Sequence, residues 1–314
     1  MNQIPLPGIV YQAVPGFEDH LGYELSGIEI RELGNGAGFL FHLPEPPKNN
    51  IFWQQNCWIE PFRIEFSSIN EAVSVLRAIQ RNWAPHLFTL FRRGALISSK
   101  LPPISAKPRP FPWDSGDSPM GAWTLLDEHT MIASARCSSP FPNGAIEFAE
   151  DKEGPPSRAY LKLWEALVRL RRWPGPGERC LDAGASPGGW TWTLARLGAK
   201  IIAVDRAPLE DRIAALPNVE FIGRDAFTLK PQDIGPIDWL FCDVACYPPR
   251  LYDWIEKWLA SGLCRNFICT IKMQGTISSG DVNFETPGLF AAIQGSKVVH
   301  LYHNKHELTW IAAL

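Results

Sequence analysis

Hydrophobic and polar positions change rhythm about half-way along this chain. In the N-terminal half, short apolar or alternating runs predict strands: GFLFHL (38–43), FRIEFS (62–67) and MIASARC (131–137). INEAVSVLRAIQRNW (69–83) carries the helical spacing and predicts an amphipathic helix. After residue 158 the pattern becomes regular. SRAYLKLWEALVRLRRW (157–173) places Leu161, Trp164, Leu167 and Val168 on one face of a helix. RCLDAG (179–184) predicts a strand, a helix follows from about Gly188 to Leu197, and KIIAVD (200–205) is the next strand. VEFIG (219–223), DWLFCDV (238–244) and FICTIKM (267–273) are short, nearly continuous apolar runs, as suits parallel strands buried on both faces. KVVHLYH (297–303) and ELTWIAAL (307–314), joined by a short turn, predict an antiparallel hairpin at a sheet edge. The fold class expected is α/β: a Rossmann-like, doubly wound, mostly parallel sheet ending in a hairpin, preceded by an α+β region.

Loop-forming residues concentrate in LPPISAKPRPFPWDSGDSP (101–119) and EDKEGPPSR (150–158). We place the boundary at the second, which gives an N-terminal region over 1–150 and a C-terminal domain over 155–314. At 314 residues the chain has room for two domains, and 46% hydrophobic with 20% charged residues reads as globular. No apolar run reaches the roughly 18 residues of a membrane span, and the N-terminus lacks a basic start followed by an apolar stretch, so neither membrane span nor signal peptide is expected. The seven cysteines form no C-x-x-C pair; Cys242 and Cys246 are four apart. Reduced cysteines, a cytoplasmic location and no metal site are the reading. A net charge of −3 argues against a generally basic nucleic-acid binder. Between Ala72 and Trp113, however, Arg77, Arg81, Arg92, Arg93, Lys100, Lys107 and Arg109 occur without an Asp or Glu. That stretch can meet phosphates or can be a solvated surface.

Ligands of an open α/β sheet sit beyond the carboxyl ends of its strands. The first strand of the C-terminal domain leads through Asp182 into Gly184-Ala-Ser186-Pro187-Gly188-Gly189-Trp190. The next ones end in Asp205, at Asp225, in Asp243 and in Lys272, and Glu307 opens the final strand at the same edge. The loop reads G-x-x-x-G-G rather than the dinucleotide fingerprint G-x-G-x-x-G, and Pro187 removes an N–H from any pyrophosphate cradle. A nucleoside without phosphates fits better, and S-adenosylmethionine is such a ligand. Asp205 would take its ribose, Asp225 its adenine amino group, and the loop backbone its methionine portion.

Lys162, Asp243, Lys272 and Glu307 suit proton abstraction from a hydroxyl. A lysine can accept a proton only when neutral, and its free value lies near roughly 10.4. Burial and a second cation, here Lys162, would depress it, with Asp243 and Glu307 orienting both amines. The sulfonium donor is already activated, so no metal is called for.

GASPGGWTWTLARLGAKIIAVDRAPL, with PSRAYLKLWEA before it, resembles the ribosomal RNA large subunit methyltransferase M family, within the FtsJ-type RNA 2′-O-methyltransferases. The resemblance continues through DWLFCDVACYPPRLYDWIEKWLASGLCRNFICTIKM to LYHNKHELTWIAAL and covers residues 155–314. It implies a class I methyltransferase domain using S-adenosylmethionine, with a Lys-Asp-Lys-Glu catalytic tetrad at Lys162, Asp243, Lys272 and Glu307, Lys272 being the base. It implies donor contacts at Asp182, Gly184, Ser186, Pro187, Gly188, Gly189, Trp190, Asp205, Asp225 and Asp243. The family also has a donor-touching serine before its first lysine; in Ser157-Arg158-Ala159 either Ser157 or the position of Ala159 corresponds. The substrate implied is a cytidine ribose of 23S ribosomal RNA or its precursor, bound by a monomer. YQAVPGFEDHLGYEL resembles the start of these enzymes, whose N-terminal region includes a THUMP RNA-binding domain. The alternative is an RNA-binding protein on a catalytically degenerate methyltransferase fold.

Overall fold

The computed structural model describes residues 3–33, 40–105, 107–275 and 284–314. The first two residues of the GFLFHL run lie outside that set. The chain forms two units, Met1–Arg109 with Ser115–Glu147, and Pro110–Asp114 with Phe148–Leu314.

The first unit is α+β. Its strands are β1 (Gln3–Pro5), β2 (Ile9–Ala13), β3 (Arg31–Glu32), β4 (Leu40–Leu43), β5 (Gln54–Ile59), β6 (Phe62–Glu65), β7 (Trp83–Pro85), β8 (Gly121–Leu125), β9 (Thr130–Ser134) and β10 (Arg136–Cys137). They form two five-stranded sheets, in the orders β1-β6-β9-β8-β7 and β10-β5-β2-β4-β3. Helices α1 (Glu18–Glu24), α2 (Ile69–Ile79) and α3 (Phe91–Ser98) accompany them. Val73, Leu76 and Ile97 from α2 and α3 bury against Ile64, Trp123 and Met131 of the first sheet. Ser68 caps α2 by accepting from the Glu71 N–H (3.2 Å). The helix expected to reach Trp83 ends instead at Ile79. The Trp83 indole N–H folds back onto the carbonyls of Leu76 (2.8 Å) and Gln80 (3.1 Å), which closes the helix end, and the backbone continues into β7.

The second unit holds α4 (Tyr160–Leu170), β11 (Arg179–Ala183), α5 (Gly189–Arg196), β12 (Lys200–Asp205), α6 (Asp211–Ala214), β13 (Val219–Gly223), α7 (Pro231–Ile234), β14 (Trp239–Cys242), α8 (Pro248–Ser261), β15 (Asn266–Lys272), α9 (Glu285–Ala291), β16 (Ser296–Val299) and β17 (Glu307–Ala313). One seven-stranded sheet runs β13-β12-β11-β14-β15-β17-β16. Strands β11 to β15 pair in parallel, and β17 is antiparallel to both β15 and β16. The order reverses at β11, so the ends of β11 and β14 flank the switch point where such sheets bind ligands. The expected one-sided α4 is buried continuously from Tyr160 to Val168, charged residues included. The terminal hairpin is also tighter in strand and longer in loop than its sequence suggests. The first strand stops at Val299, because the N–H groups of Tyr302 and His303 are taken by the Glu165 carboxylate rather than by a neighbouring strand. Its partner β17 inserts between β15 and β16, leaving β16 at the edge. Among the described residues no helix is long and apolar enough to cross a membrane.

Candidate active site

The carboxyl ends of the parallel strands gather the charged residues singled out above. Asp243 follows β14 directly and its N–H still donates to Ala183 (3.2 Å), so the carboxylate is held against the end of β11. Lys272 ends β15 and stands opposite Glu307 in the antiparallel register of β15 and β17. Lys162 reaches in from the first turn of α4. Its Nζ donates to both oxygens of Asp243 (3.0 and 2.9 Å) and to Glu307 Oε1 (2.8 Å). Lys272 Nζ donates to Asp243 Oδ1 (2.7 Å) and Glu307 Oε2 (2.6 Å). Each carboxylate is thus shared by two ammonium groups. The side chains of Lys162 and Glu307 are 10% and 9% exposed, and those of Asp243 and Lys272 17% and 22%, so Lys272 is the most open of the four.

The electrostatics correct one expectation. Burial alone would raise Asp243 and Glu307, yet the charges of Lys162 and Lys272 and their hydrogen bonds outweigh it, and both carboxyls titrate below their ordinary values. Burial pulls Lys272 down, but Asp243 and Glu307 outweigh that as well and hold it above its ordinary value. The depressed lysine expected from a neighbouring cation is therefore not what this geometry produces. The two carboxylates lie closer to Lys272 in effect than the second cation does, and Lys272 rests as an ammonium.

The loop from β11 to α5 is shaped by glycines at positions where a side chain would not fit. Gly184 has φ +80°, and a Cβ there would come within 2.6 Å of Val244 Cγ2. Gly188 has φ +118°, with Ile213 Cγ2 2.9 Å from the site of its missing Cβ. A Cβ on Gly189 would meet the Ser157 hydroxyl at 2.6 Å, so Ser157 stands beside this loop. Ala159 contributes its carbonyl, which accepts from the Trp190 indole N–H (2.9 Å). Trp190 is itself buried, so its ring anchors α5 to the start of α4. Ser186 donates its backbone N–H to Asp205 Oδ2 (3.0 Å) and its hydroxyl to the Pro208 carbonyl (2.8 Å), and the Pro187 carbonyl accepts from the Glu210 N–H (3.0 Å).

The three remaining aspartates differ in their surroundings. Asp205 accepts from the N–H groups of Ser186 and Ala207 (3.0 Å each), which leaves acceptor capacity on both oxygens. Asp225 caps the short turn Ala226–Thr228 through the Phe227 N–H (3.0 Å) and pairs with Arg250 (3.1 Å), whose guanidinium lies 4.5 Å from the centre of the Phe227 ring. Asp182 is 1% exposed and accepts from the Thr191 hydroxyl (2.6 Å). Burial pushes it up to about 7, opposed by that hydrogen bond and helped by the charges of Asp243 and Asp205. It sits beneath the loop. Thr191 and Arg250 escaped the sequence reading: nothing in spacing relates Arg250 to an aspartate 25 residues earlier.

Residues 155–279 match the FtsJ-like methyltransferase family. A ribosomal RNA large subunit methyltransferase M of Xanthomonas oryzae pv. oryzae (strain PXO99A) is 30% identical over 256 residues, covering 77% of this chain and 69% of that protein. The chain belongs to this family. Its counterpart from Azoarcus sp. (strain BH72) is 35% identical over 185 residues, 55% of this chain and 50% of the relative. One from Thauera aminoaromatica is 35% identical over 166 residues, covering 49% and 45%. The chain thus spans about half the length of these two relatives. The Methanococcus jannaschii fibrillarin pre-rRNA processing protein superposes with a TM-score of 0.36 at 20% identity, over 48% of this chain and 74% of that one, too loosely to add to the assignment. FtsJ-like methyltransferases use S-adenosylmethionine, and this family member's residues suit it. The loop admits no side chain at Gly184 or Gly188, which leaves its backbone open to close approach, and Asp205 keeps acceptor capacity that a ribose diol can use.

Proposed function

We propose that this protein methylates a ribose 2′-hydroxyl of large-subunit ribosomal RNA, a cytidine of 23S RNA or its precursor, in the cytoplasm. The observation that carries the reading is the Lys162–Asp243–Lys272–Glu307 cluster, closed by ion pairs of 2.6–3.0 Å at the carboxyl ends of the strands. Asp205 would hold the donor's ribose and Asp225 its adenine edge. Ser157, Ser186, Pro187, Gly188 and Gly189 would line its methionine portion, and Asp182, Gly184 and Trp190 would keep the loop in shape. When bound, S-adenosylmethionine supplies a methyl group already activated by its cationic sulfur.

Lys272 is the base. It must first give its resting proton to solvent, and a cation bound beside it makes that easier. Its neutral Nζ then takes the 2′-hydroxyl proton as the oxygen bonds to the methyl carbon and the carbon–sulfur bond breaks. Asp243 and Glu307 hold the resulting ammonium, and Lys162 keeps both carboxylates in place. The first unit is read as the RNA-docking, THUMP-like region. Arg77, Arg81, Arg92, Lys100 and Lys107 are exposed on it within a stretch free of acids.

Labelled S-adenosylmethionine and ribosomal RNA from cells lacking this protein provide the assay. Label should appear at a nucleotide that resists alkaline cleavage, since a 2′-O-methyl removes the attacking hydroxyl. Lys272→Ala should lower kcat by about 10²–10⁴-fold while S-adenosylhomocysteine still binds. Full activity in that variant overturns the assignment of the base, and RNA binding without turnover by the natural protein overturns the enzyme reading.

A further inference from the structure

Glu165 lies one turn beyond Lys162 on α4 and is 0% exposed. A carboxylate so deeply buried is costly unless its oxygens are fully engaged. Its oxygens accept from Arg169 Nε (2.8 Å) and from the backbone N–H groups of Tyr302 (2.9 Å) and His303 (3.0 Å). Those two N–H groups belong to residues 300–306, the loop that delivers Glu307 to the site. Within the loop, Asn304 Nδ2 donates to the Glu307 carbonyl and lies within bonding distance of Thr309 Oγ1 (3.1 Å each). Glu307 then bridges Lys162 and Lys272. Helix α4 therefore reaches Glu307 by two routes, directly at its carboxylate through Lys162 and indirectly through Glu165, which holds Tyr302 and His303 in the loop before it.

We propose that Glu165 is a positioning residue: by clamping residues 300–306 it holds Glu307 between the two lysines and keeps the tetrad in register for methyl transfer. The kinetic part rests on the methyltransferase reading, whereas the geometric part does not. A positioning carboxylate cannot be replaced by its amide, because the NH₂ end of a glutamine would face a backbone N–H, donor against donor.

The test is Glu165→Gln in the full chain, read in two independent ways. The first is the titration of Lys272, followed by NMR of ε-¹³C-labelled lysine and assigned by Lys272→Arg. Lys272 faces Asp243 and Glu307, with Lys162 and Cys246 nearby. Loosening Glu307 should lower its midpoint by at least about half a unit, with lysines outside the site unmoved. The second is turnover. kcat should fall on the order of 10–100-fold with S-adenosylhomocysteine affinity unchanged, and Glu165→Gln should add nothing further in a Glu307→Gln background. If Glu165→Gln does not fold, Asn304→Ala breaks the same connection at its other end and should give the same two results. An unmoved Lys272 midpoint, or effects that multiply independently of Glu307, overturns the proposal. If the natural protein methylates no RNA, the titration still decides the role of Glu165, and the methylation reading fails separately.

Discussion

At the scale of single residues, the tetrad is two ammonium groups and two carboxylates in alternation, each neutralising its neighbours. Its stability depends on completeness. Removing Lys162 leaves Asp243 and Glu307 facing each other with Lys272 alone between them, and breaking a buried ion pair costs about 3–5 kcal/mol. Lys162→Met should lose roughly that amount near neutral pH, as read from urea midpoints. The pH dependence has a definite sign. Asp243 and Glu307 titrate below their ordinary values in the folded state, so their contribution is present above the ordinary carboxylate range and lost as pH falls through the lowered values. Lys272 titrates above its ordinary value, so its contribution is full below that value and lost only as pH rises through the raised one. The gap between natural protein and Lys162→Met should therefore be flat around neutrality and close in acid. A gap that persists unchanged at low pH would mean that the lysine acts through its stem packing alone. These four residues were legible from chain order. The direction in which Lys272 is shifted was not, because it depends on which charges stand closer.

At the scale of elements, the turn from β11 into α5 is the place where the proposed donor would meet backbone. Gly184 sends its N–H to the Val204 carbonyl (2.8 Å), as does Ala185 (3.2 Å), so the turn is stitched to the adjacent strand β12. Gly184→Ala meets both the left-handed φ, which costs a residue with a Cβ roughly 1–2 kcal/mol, and the Val244 methyl. S-Adenosylhomocysteine affinity, measured by calorimetry, should fall at least about tenfold in this variant. Unchanged affinity would show that the loop is not the donor's floor. The glycines announce such a turn in the sequence because no other residue populates those angles readily. Asp225 shows the opposite. Its place near the site follows from strand order, but its pairing with Arg250 arises because α8 begins where β13 ends, a coincidence in space.

At the scale of the whole molecule, one short segment separates chain order from packing. Residues Pro110–Asp114 belong to the second unit although they lie well before it in sequence. Phe111 stacks on Trp164 of α4 at 4.8 Å and meets Phe148 and Trp173 edge-on, and Asp114 pairs with Arg171 (3.0 Å). Phe111→Ala should thus destabilise the second unit by about 1–3 kcal/mol, less than a fully buried phenylalanine would cost. The thermal transition that is stabilised by S-adenosylhomocysteine is the one to follow. If that transition is unmoved, the segment is not part of this unit's core.

The parallel sheet, the glycine loop and the order of the charged residues were all readable from the pattern along the chain. Hydrophobic periodicity and glycine placement are local properties, and right-handed crossovers leave a doubly wound sheet few ways to bring its strand ends together. How those residues act on one another came from the packing of distant segments. That packing set Lys272 between two carboxylates, buried Asp182 beneath the loop, gave Glu165 the backbone of residues 300–306 to hold, and placed Phe111 on α4. Each of these depends on distances between segments far apart in the chain, and both the strength of a charge–charge contact and the cost of burying it are fixed by such distances and by exclusion of water.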